Sequence, residues 1–431
     1  MTAVAIIGAG YAGLACAVEL ARHDVEVTVF ERSRILGGRA RIVRKDGWAV
    51  DNGQHLLIGA YTELTRLMRL TGVSPRQIRH LPLTLSIPGH ICLRAAALPA
   101  PLHLLIGLLC AEGLSWRERF AIAAMLRYLK RRDFRLPAEM SVTELLTDAR
   151  QPFRLRNLLW EPLCLAALNT HAHEASAQIF ANILRDTLAA PSASASEFML
   201  PRVNLTELFP VPAARYLATR NGNLLTSNPI ATITPENGGF LLAGAPGHRL
   251  WQHVVIATAP HHAAALLAST GACAPLAAQL AALPAEPITT IYLAFGSDIT
   301  LPAPMLGLSA GPAQWAFDRG QCGNPEGLIA TVISAPRHSA KERKSLIPAV
   351  LAQLEQALGR RLPQPQWTHV ITERRATIAC RPGVERPGIV TPLPGLWLAG
   401  DYIKSEYPAT LESAVRAGVL CAQKILTESH F

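Results

Sequence analysis

The sequence lacks any stretch that reads as a membrane-spanning helix, has no closely spaced cysteines, and carries little charge. Its longest apolar run without a charge covers 95–111 and contains Pro99, Pro101 and His103. That is shorter than the roughly 20 apolar residues a spanning helix needs. The first residues are apolar but have no basic segment before them, so they do not read as a signal peptide. Eight cysteines lie at positions 16, 92, 110, 164, 273, 322, 380 and 421, with no CxxC pair. This spacing argues against a zinc ribbon or a disulfide framework and points to reduced, buried thiols in a cytoplasmic protein. His171 and His173 have no third ligand nearby, so they read as a surface loop and no metal is expected. No segment interleaves basic and aromatic residues as a nucleic-acid surface would, and no nucleic-acid partner is expected.

What is present is apolar. Half of the 431 residues are hydrophobic and only 17% are charged. A chain this long exceeds the ~250–300 residues at which single cores stop growing, so more than one structural unit is expected. The net charge of +10 fits an anionic membrane surface or no specific partner at all.

The ends of the chain carry the chemistry. Ala3-Val-Ala-Ile-Ile7 reads as a buried parallel strand, and Val25–Phe30 reads as a second. Between them stands Gly8-Ala9-Gly10-Tyr11-Ala12-Gly13. In such a hexapeptide the first glycine permits a tight turn and the second lets backbone approach a diphosphate. The third lets the helix pack against the sheet, and amide groups at the helix start then face the anion. The hexapeptide alone is a weak signal, but its context strengthens it. Glu31 ends the second strand 18 residues after Gly13, where its carboxylate can accept from ribose hydroxyls. Arg32 follows it. Gly37-Gly38-Arg39 then offers a second backbone approach and a cation for the diphosphate. At the far end, Leu396–Ala399 reads as a strand closing on Gly400-Asp401, and a helix is expected over about 410–426. Asp401 can accept from a sugar hydroxyl.

Between the ends, 91–200 reads as mostly helical with breaks at Pro137, Pro152, Pro162 and Pro191, and Ser192–Ser196 reads as a flexible loop. Short strands are expected at Val254–Ile256, 288–295 and 328–334, with a hairpin turn at Gly238-Gly239. The chain thus leaves and re-enters the nucleotide unit.

These features, with Ala257-Thr-Ala-Pro260 and the closing Ala409-Thr410-Leu411-Glu412, resemble the amine oxidase and phytoene desaturase flavoproteins. The resemblance covers the whole chain. It implies noncovalent FAD, because Cys380 is the nearest cysteine before the last helix and stands far from the usual attachment point. The N-terminus of that helix would direct its dipole at the flavin ring. It also implies an α/β fold: a discontinuous Rossmann-like FAD-binding domain (1–80, 205–268 and 388–431) interleaved with an α+β substrate domain (81–204 and 269–387). Gln54, His55, Ala257, Thr410 and Leu411 then join the expected cofactor shell.

Three segments narrow the resemblance: Val50–Tyr61, Trp160–Thr170 and Met199–Leu205. Together they are similar to the hopanoid-associated hydroxysqualene dehydroxylases. This implies an apolar C30 isoprenoid substrate, loss of its hydroxyl as water, and hydride delivery from reduced flavin. No second dinucleotide fingerprint is present, so an external electron donor is expected. Asp51 and His55 are the candidates for the general acid. Asp51 reads equally as an anchor for the Asn52-Gly53 turn, and His55 equally as a structural histidine. Glu161, Glu406 and Glu412 rank below them, with Glu412 expected to cap its own helix. The run 95–111, followed by Arg117, Arg119, Arg127, Lys130, Arg131 and Arg132, reads either as a peripheral membrane patch on the inner face of the membrane or as a buried helix with a solvated basic face. A carotenoid-type desaturase or isomerase, and an amine oxidase with Tyr402 and Tyr407 as a partial aromatic box, are the competing enzymes. A flavin-binding carrier without turnover is the non-enzymatic alternative.

Overall fold

The strand β1 (Ala3–Ile7) is buried on both faces and sits at the centre of a five-stranded parallel sheet. The structure, a computed structural model, describes residues 3–220, 222–337 and 343–428. Across the sheet the order is Asn223–Leu225, β2 (Glu26–Phe30), β1, His253–Ile256 and Leu396–Leu398. Strands from three distant parts of the chain therefore meet, each running parallel to its neighbour. Strand order reverses at β1, and in such sheets the crevice beyond the strand ends at that point is the ligand site.

Helix α1 (Tyr11–Arg22) leaves this crevice and is buried nearly all round. One side packs on the sheet and the other on the last helix, Leu411–Glu428. The two helices approach closely: a Cβ at Gly418 would stand 2.1 Å from the Ala12 carbonyl oxygen. Helix α2 (Thr62–Leu70) lies against the last helix.

A second, antiparallel sheet is built from Ala285–Ala294, Met305–Gly307, Trp315–Asp318, Leu328–Ser334 and Trp367–Ile378. Its longest pairing joins Ala285–Ala294 to Trp367–Ile378. A three-stranded sheet of Leu57–Ile58, Phe198–Pro201 and Ile78–Leu81 packs between the two.

The middle of the chain is less helical than its sequence suggests. Thr84–Ile87 and Ile91–Arg94 form a hairpin whose alternating side chains face one core. Helices follow: α3 (Leu102–Leu109), α4 (Trp116–Lys130) and α5 (Val142–Asp148). Ser115 and Ser141 each close a reciprocal capping box, with Glu118 and Glu144. Pro162 does not break the chain. The helix from Phe153 runs through a wider-pitched stretch, Arg156–Trp160, into Glu161–Leu168. Pro162 has no N–H to give the carbonyl four residues back, and the wider turn shifts the bonding past that gap. Ser192–Ser196 is also not a free loop. It forms a short helical turn at 193–196, where Ser196 donates to the Ala193 carbonyl and is buried. Among the described residues no helix is long and apolar enough to cross a membrane.

Candidate active site

One cavity of about 1900 Å³ runs from the glycine turn after β1 into the space between the two sheets. Single small ligands occupy pockets of about 300–1,000 Å³, so there is room for two.

At its nucleotide end the backbone does most of the shaping. Gly8 has φ +111°, and a Cβ there would stand 2.7 Å from the Ala257 carbonyl oxygen. A Cβ on Gly13 would stand 2.0 Å from the Gly8 carbonyl. Only glycine lets turn, helix and the strand His253–Ile256 close up this tightly. Gly10 bridges to Gly37, so the two glycine segments lie side by side. The Glu31 carboxylate accepts the N–H of Ala9 at 2.8 Å and of Ser33 at 2.8 Å, holding the loop while each oxygen keeps a free lone pair.

Most residues singled out from the sequence line this one cavity: Gly8, Gly10, Tyr11, Ala12, Glu31, Arg32, Gly37, Gly38, Arg39, Gln54, His55, Ala257, Gly400, Asp401, Thr410 and Leu411. Ala9, Gly13 and Asp51 do not line it. Gly13 serves helix packing, as its position suggests. Asp51 is used elsewhere. Its Oδ1 accepts the Leu205 N–H at 2.8 Å, its Oδ2 lies 3.8 Å from Arg319, and its carbonyl accepts from the Tyr292 hydroxyl at 2.9 Å. Burial pushes its pKa up to about 6, against the opposing pull of Arg319. Asp51 thus starts the helix at Leu205 rather than anchoring its own turn.

Arg39 and Asp401, expected to serve the diphosphate and a sugar hydroxyl separately, bind each other at 2.5 Å. Arg39 also donates to the carbonyls of Ala376 and Arg375. The pair joins the first and last segments of the chain to the second sheet while both residues line the cavity.

His55 is deep in the protein yet opens onto the cavity. Its Nδ1 lies 2.8 Å from the Gly53 carbonyl, so this nitrogen carries the proton and Nε2 is left to the cavity. Burial lowers its pKa, partly offset by the Gly53 carbonyl.

Tyr407 and Asp186 form a pairing the sequence gave little sign of. The Tyr407 hydroxyl donates to Asp186 at 2.6 Å, and Arg185 holds the same carboxylate at 2.7 Å. Burial works against ionising Asp186, but Arg185 and Tyr407 outweigh it and keep its pKa low. Tyr402 is fully buried and does not line the cavity, so only Tyr407 of the expected aromatic pair faces it. Asp186 sits on the helix Ala177–Leu188 with no motif to mark it.

Glu412 does not cap its own helix. It accepts the Glu63 and Leu64 N–H groups at 3.0 and 2.9 Å and so caps α2. Thr410 takes the capping role, accepting the Ser413 N–H at 3.1 Å. Glu406 pairs with Arg185 at 3.2 Å. Glu161, like Glu406, is absent from the cavity wall. His171 bonds to the Ala335 carbonyl, and among the described residues no group of three or more His, Cys, Asp or Glu could hold a metal.

The chemistry of the nucleotide end suits a dinucleotide. Gln54 Oε1, Asn228 Oδ1 and Thr258 Oγ1 are buried on the cavity wall with no partner within the protein. Unpaired acceptors of this kind fit a ligand that brings hydroxyl and amino donors of its own. The other end is different in kind. Leu83, Leu93, Leu104, Leu108, Leu163 and Phe317 line an apolar arm.

The chain resembles known proteins along its whole length. The family described as flavin containing amine oxidoreductase matches residues 11–426. A Rhodopseudomonas palustris protein named hydroxysqualene dehydroxylase is 28% identical, with 98% of each chain covered. One of the same name from Zymomonas mobilis is 27% identical over the whole of both chains. A solved oxidoreductase structure from Methanosarcina mazei superposes with a TM-score of 0.75 at 18% identity, covering 98% of this chain and all of the other.

Proposed function

This chain belongs to the flavin containing amine oxidoreductase family, and within it we propose that the protein reduces hydroxysqualene to squalene. It is an FAD-dependent oxidoreductase of α/β fold. The observation that carries the substrate reading is the apolar arm. It begins where the nucleotide cradle ends, it is lined by leucine and aromatic side chains, and it is large enough for a long polyene beside the cofactor. The two bacterial relatives named for this reaction support it along their full length.

Reduced FAD, when bound, supplies the hydride that replaces the lost hydroxyl. The chain does the rest. We assign proton delivery to His55, whose Nδ1 is anchored on Gly53 and whose Nε2 faces the cavity. A depressed pKa makes its charged form a stronger acid than free imidazolium. The carbon–oxygen bond then breaks and water leaves, while the leucine-lined arm keeps bulk water from recapturing the allylic cation. Tyr407 is committed to Asp186 and closes the wall instead of giving up its proton. Gln54 Oε1, Asn228 Oδ1 and Thr258 Oγ1 fit as acceptors for the cofactor's polar groups. Attachment of FAD is noncovalent in this reading, because Cys380 is buried away from the cavity. An external donor must return two electrons per turnover.

The substrate must also arrive from a membrane. Eight of the ten exposed large hydrophobic side chains among the described residues lie between Leu98 and Phe153. Four of them belong to helix α3, which also borders the cavity. Leu102, Leu105, Ile106 and Leu109 face outward, whereas Leu104 and Leu108 line the apolar arm. One short helix is thus apolar on both sides, as a portal between lipid and cavity requires. Anaerobic incubation with hydroxysqualene and a chemically reduced flavin pool tests the assignment. Squalene formed in proportion to enzyme is expected. No squalene from FAD-loaded protein, together with desaturation of a polyene by the oxidised form, would reverse the redox direction.

A further inference from the structure

We propose that a pocket of about 400 Å³ between the end of α4 and the turn that ends α5 binds the phosphate of an anionic phospholipid. The proposal rests on the membrane-facing reading of α3. Four arginines converge there, Arg127, Arg131, Arg132 and Arg150, beside Tyr128 and a single acid, Asp148. The Arg132 guanidinium lies over the Tyr128 ring, its Cζ 3.8 Å from the centroid. Among the described residues none of the four is ion-paired within 4.0 Å, though Arg132 donates to the Tyr128 carbonyl at 3.5 Å; the nearby Arg154 is paired with Glu118 at 2.8 Å.

Two helix C-termini also meet at this place, and each opposes an anion with about half a negative charge. With Asp148 counted as well, the four guanidiniums still leave the pocket positive by about two charges. Arg150 stands at φ +50°, at the end of α5, in the left-handed conformation that glycine adopts more easily. Its turn is closed by the Gln151 N–H donating to the Leu146 carbonyl at 2.9 Å.

Position selects the ligand. Trp116, Phe120 and Arg127 on α4, and Arg131 that caps it, lie on one exposed stripe at steps of four, seven and four residues. The rise from Trp116 to Arg127 is about 16 Å. That matches, to within about 2 Å, the half-thickness of a bilayer's apolar core, which is about 30 Å across. The aromatic end can therefore enter the apolar layer while the arginines stay among the phosphates. Arginine forks bind phosphate oxygens in pairs, a geometry that lysine does not reproduce.

The test is flotation of the full-length protein with phosphatidylcholine vesicles, with and without phosphatidylglycerol. Wild type is compared with Arg127→Lys/Arg131→Lys/Arg150→Lys, which keeps the charge, and with Leu102→Ser/Leu105→Ser on α3. The lysine variant is expected to lose at least tenfold in binding to the anionic vesicles and nothing on neutral ones. Its turnover of detergent-dispersed substrate is expected to stay unchanged. The α3 variant is expected to weaken binding to both vesicle types. Wild-type binding by the lysine variant would reduce the pocket to diffuse charge and overturn the proposal while the membrane reading survives. Calorimetric saturation by inorganic phosphate, with no preference between vesicles, would overturn the lipid assignment in favour of a free anion. Failure of wild type to float with any vesicle would remove the membrane reading and this proposal together.

Discussion

Asp51 and His55 stand four positions apart in the sequence, and the structure separates their fates by the direction each side chain takes. His55 opens onto the cavity, and Asp51 turns toward Leu205 and Arg319. His55→Gln is expected to lower turnover by 10²- to 10⁴-fold, the usual share of a general acid, with flavin retained. Because burial depresses its pKa, wild-type turnover should rise as pH falls below about 6.5, the ordinary histidine value. The sign for stability is opposite. Below that pH the unfolded chain takes up a proton that the folded histidine resists, so stability falls with pH. In His55→Gln both slopes should flatten, and a pH profile unchanged by the substitution would exclude His55 as the donor. Asp51→Asn should act on stability alone. It removes the carboxylate 3.8 Å from Arg319, which is only 3% exposed, and a loss of stability is expected. Denaturant titration reads that loss, and turnover per folded molecule should stay near wild type. The sequence placed both residues near the cofactor. Which one faces it depends on χ angles and packing that no spacing rule encodes.

Among the elements, α1 and the last helix matter most, because their N-termini border the nucleotide end of the cavity from opposite ends of the chain. Their close approach depends on Gly418. Gly418→Ala would drive a Cβ to 2.1 Å from the Ala12 carbonyl oxygen. The helices must part, at a cost of about 1–3 kcal/mol for overpacking. A lower melting temperature and faster loss of flavin on dilution are the expected readouts. Glu412→Gln should disturb a different element, α2, whose first N–H groups the carboxylate accepts. A loss of about 1 kcal/mol is expected, as for a removed N-cap. The glycine fingerprint, the strand after it and Glu31 were legible because each is a local requirement of backbone geometry. The cap that Glu412 makes was not legible, since α2 lies about 350 residues away in sequence. The wide-pitched turn before Pro162 was also missed: a proline normally signals a break, and here the helix adjusts around it.

At the scale of the whole molecule, two sheets enclose one cavity whose ends have different chemistry. FAD binds the folded state, so added cofactor should stabilise flavin-stripped protein by about 2.7 kcal/mol at a hundredfold excess over Kd, read as a higher melting temperature. A lipid-like polyene should raise it further when FAD is present, because the apolar arm abuts the nucleotide cradle. No additive shift from the polyene would argue that the arm is not its site. The apolar run at 95–111 illustrates what scale decides. From sequence it read as either a membrane patch or a buried helix. Folded, α3 has one apolar side on the cavity and another exposed.

The sequence alone determined the glycine-turn frame at one end of the cavity. Glycines at 8, 10 and 13, an acid at 31 and Gly400-Asp401 on a returning strand are demands of backbone conformation and charge, and those are local. Tertiary structure decided the rest: that Arg39 and Asp401 clamp each other, that Asp186 holds Tyr407, and that four arginines gather unpaired beside α4. These depend on which side chains meet across distant segments, and packing fixes that only when the whole chain has folded.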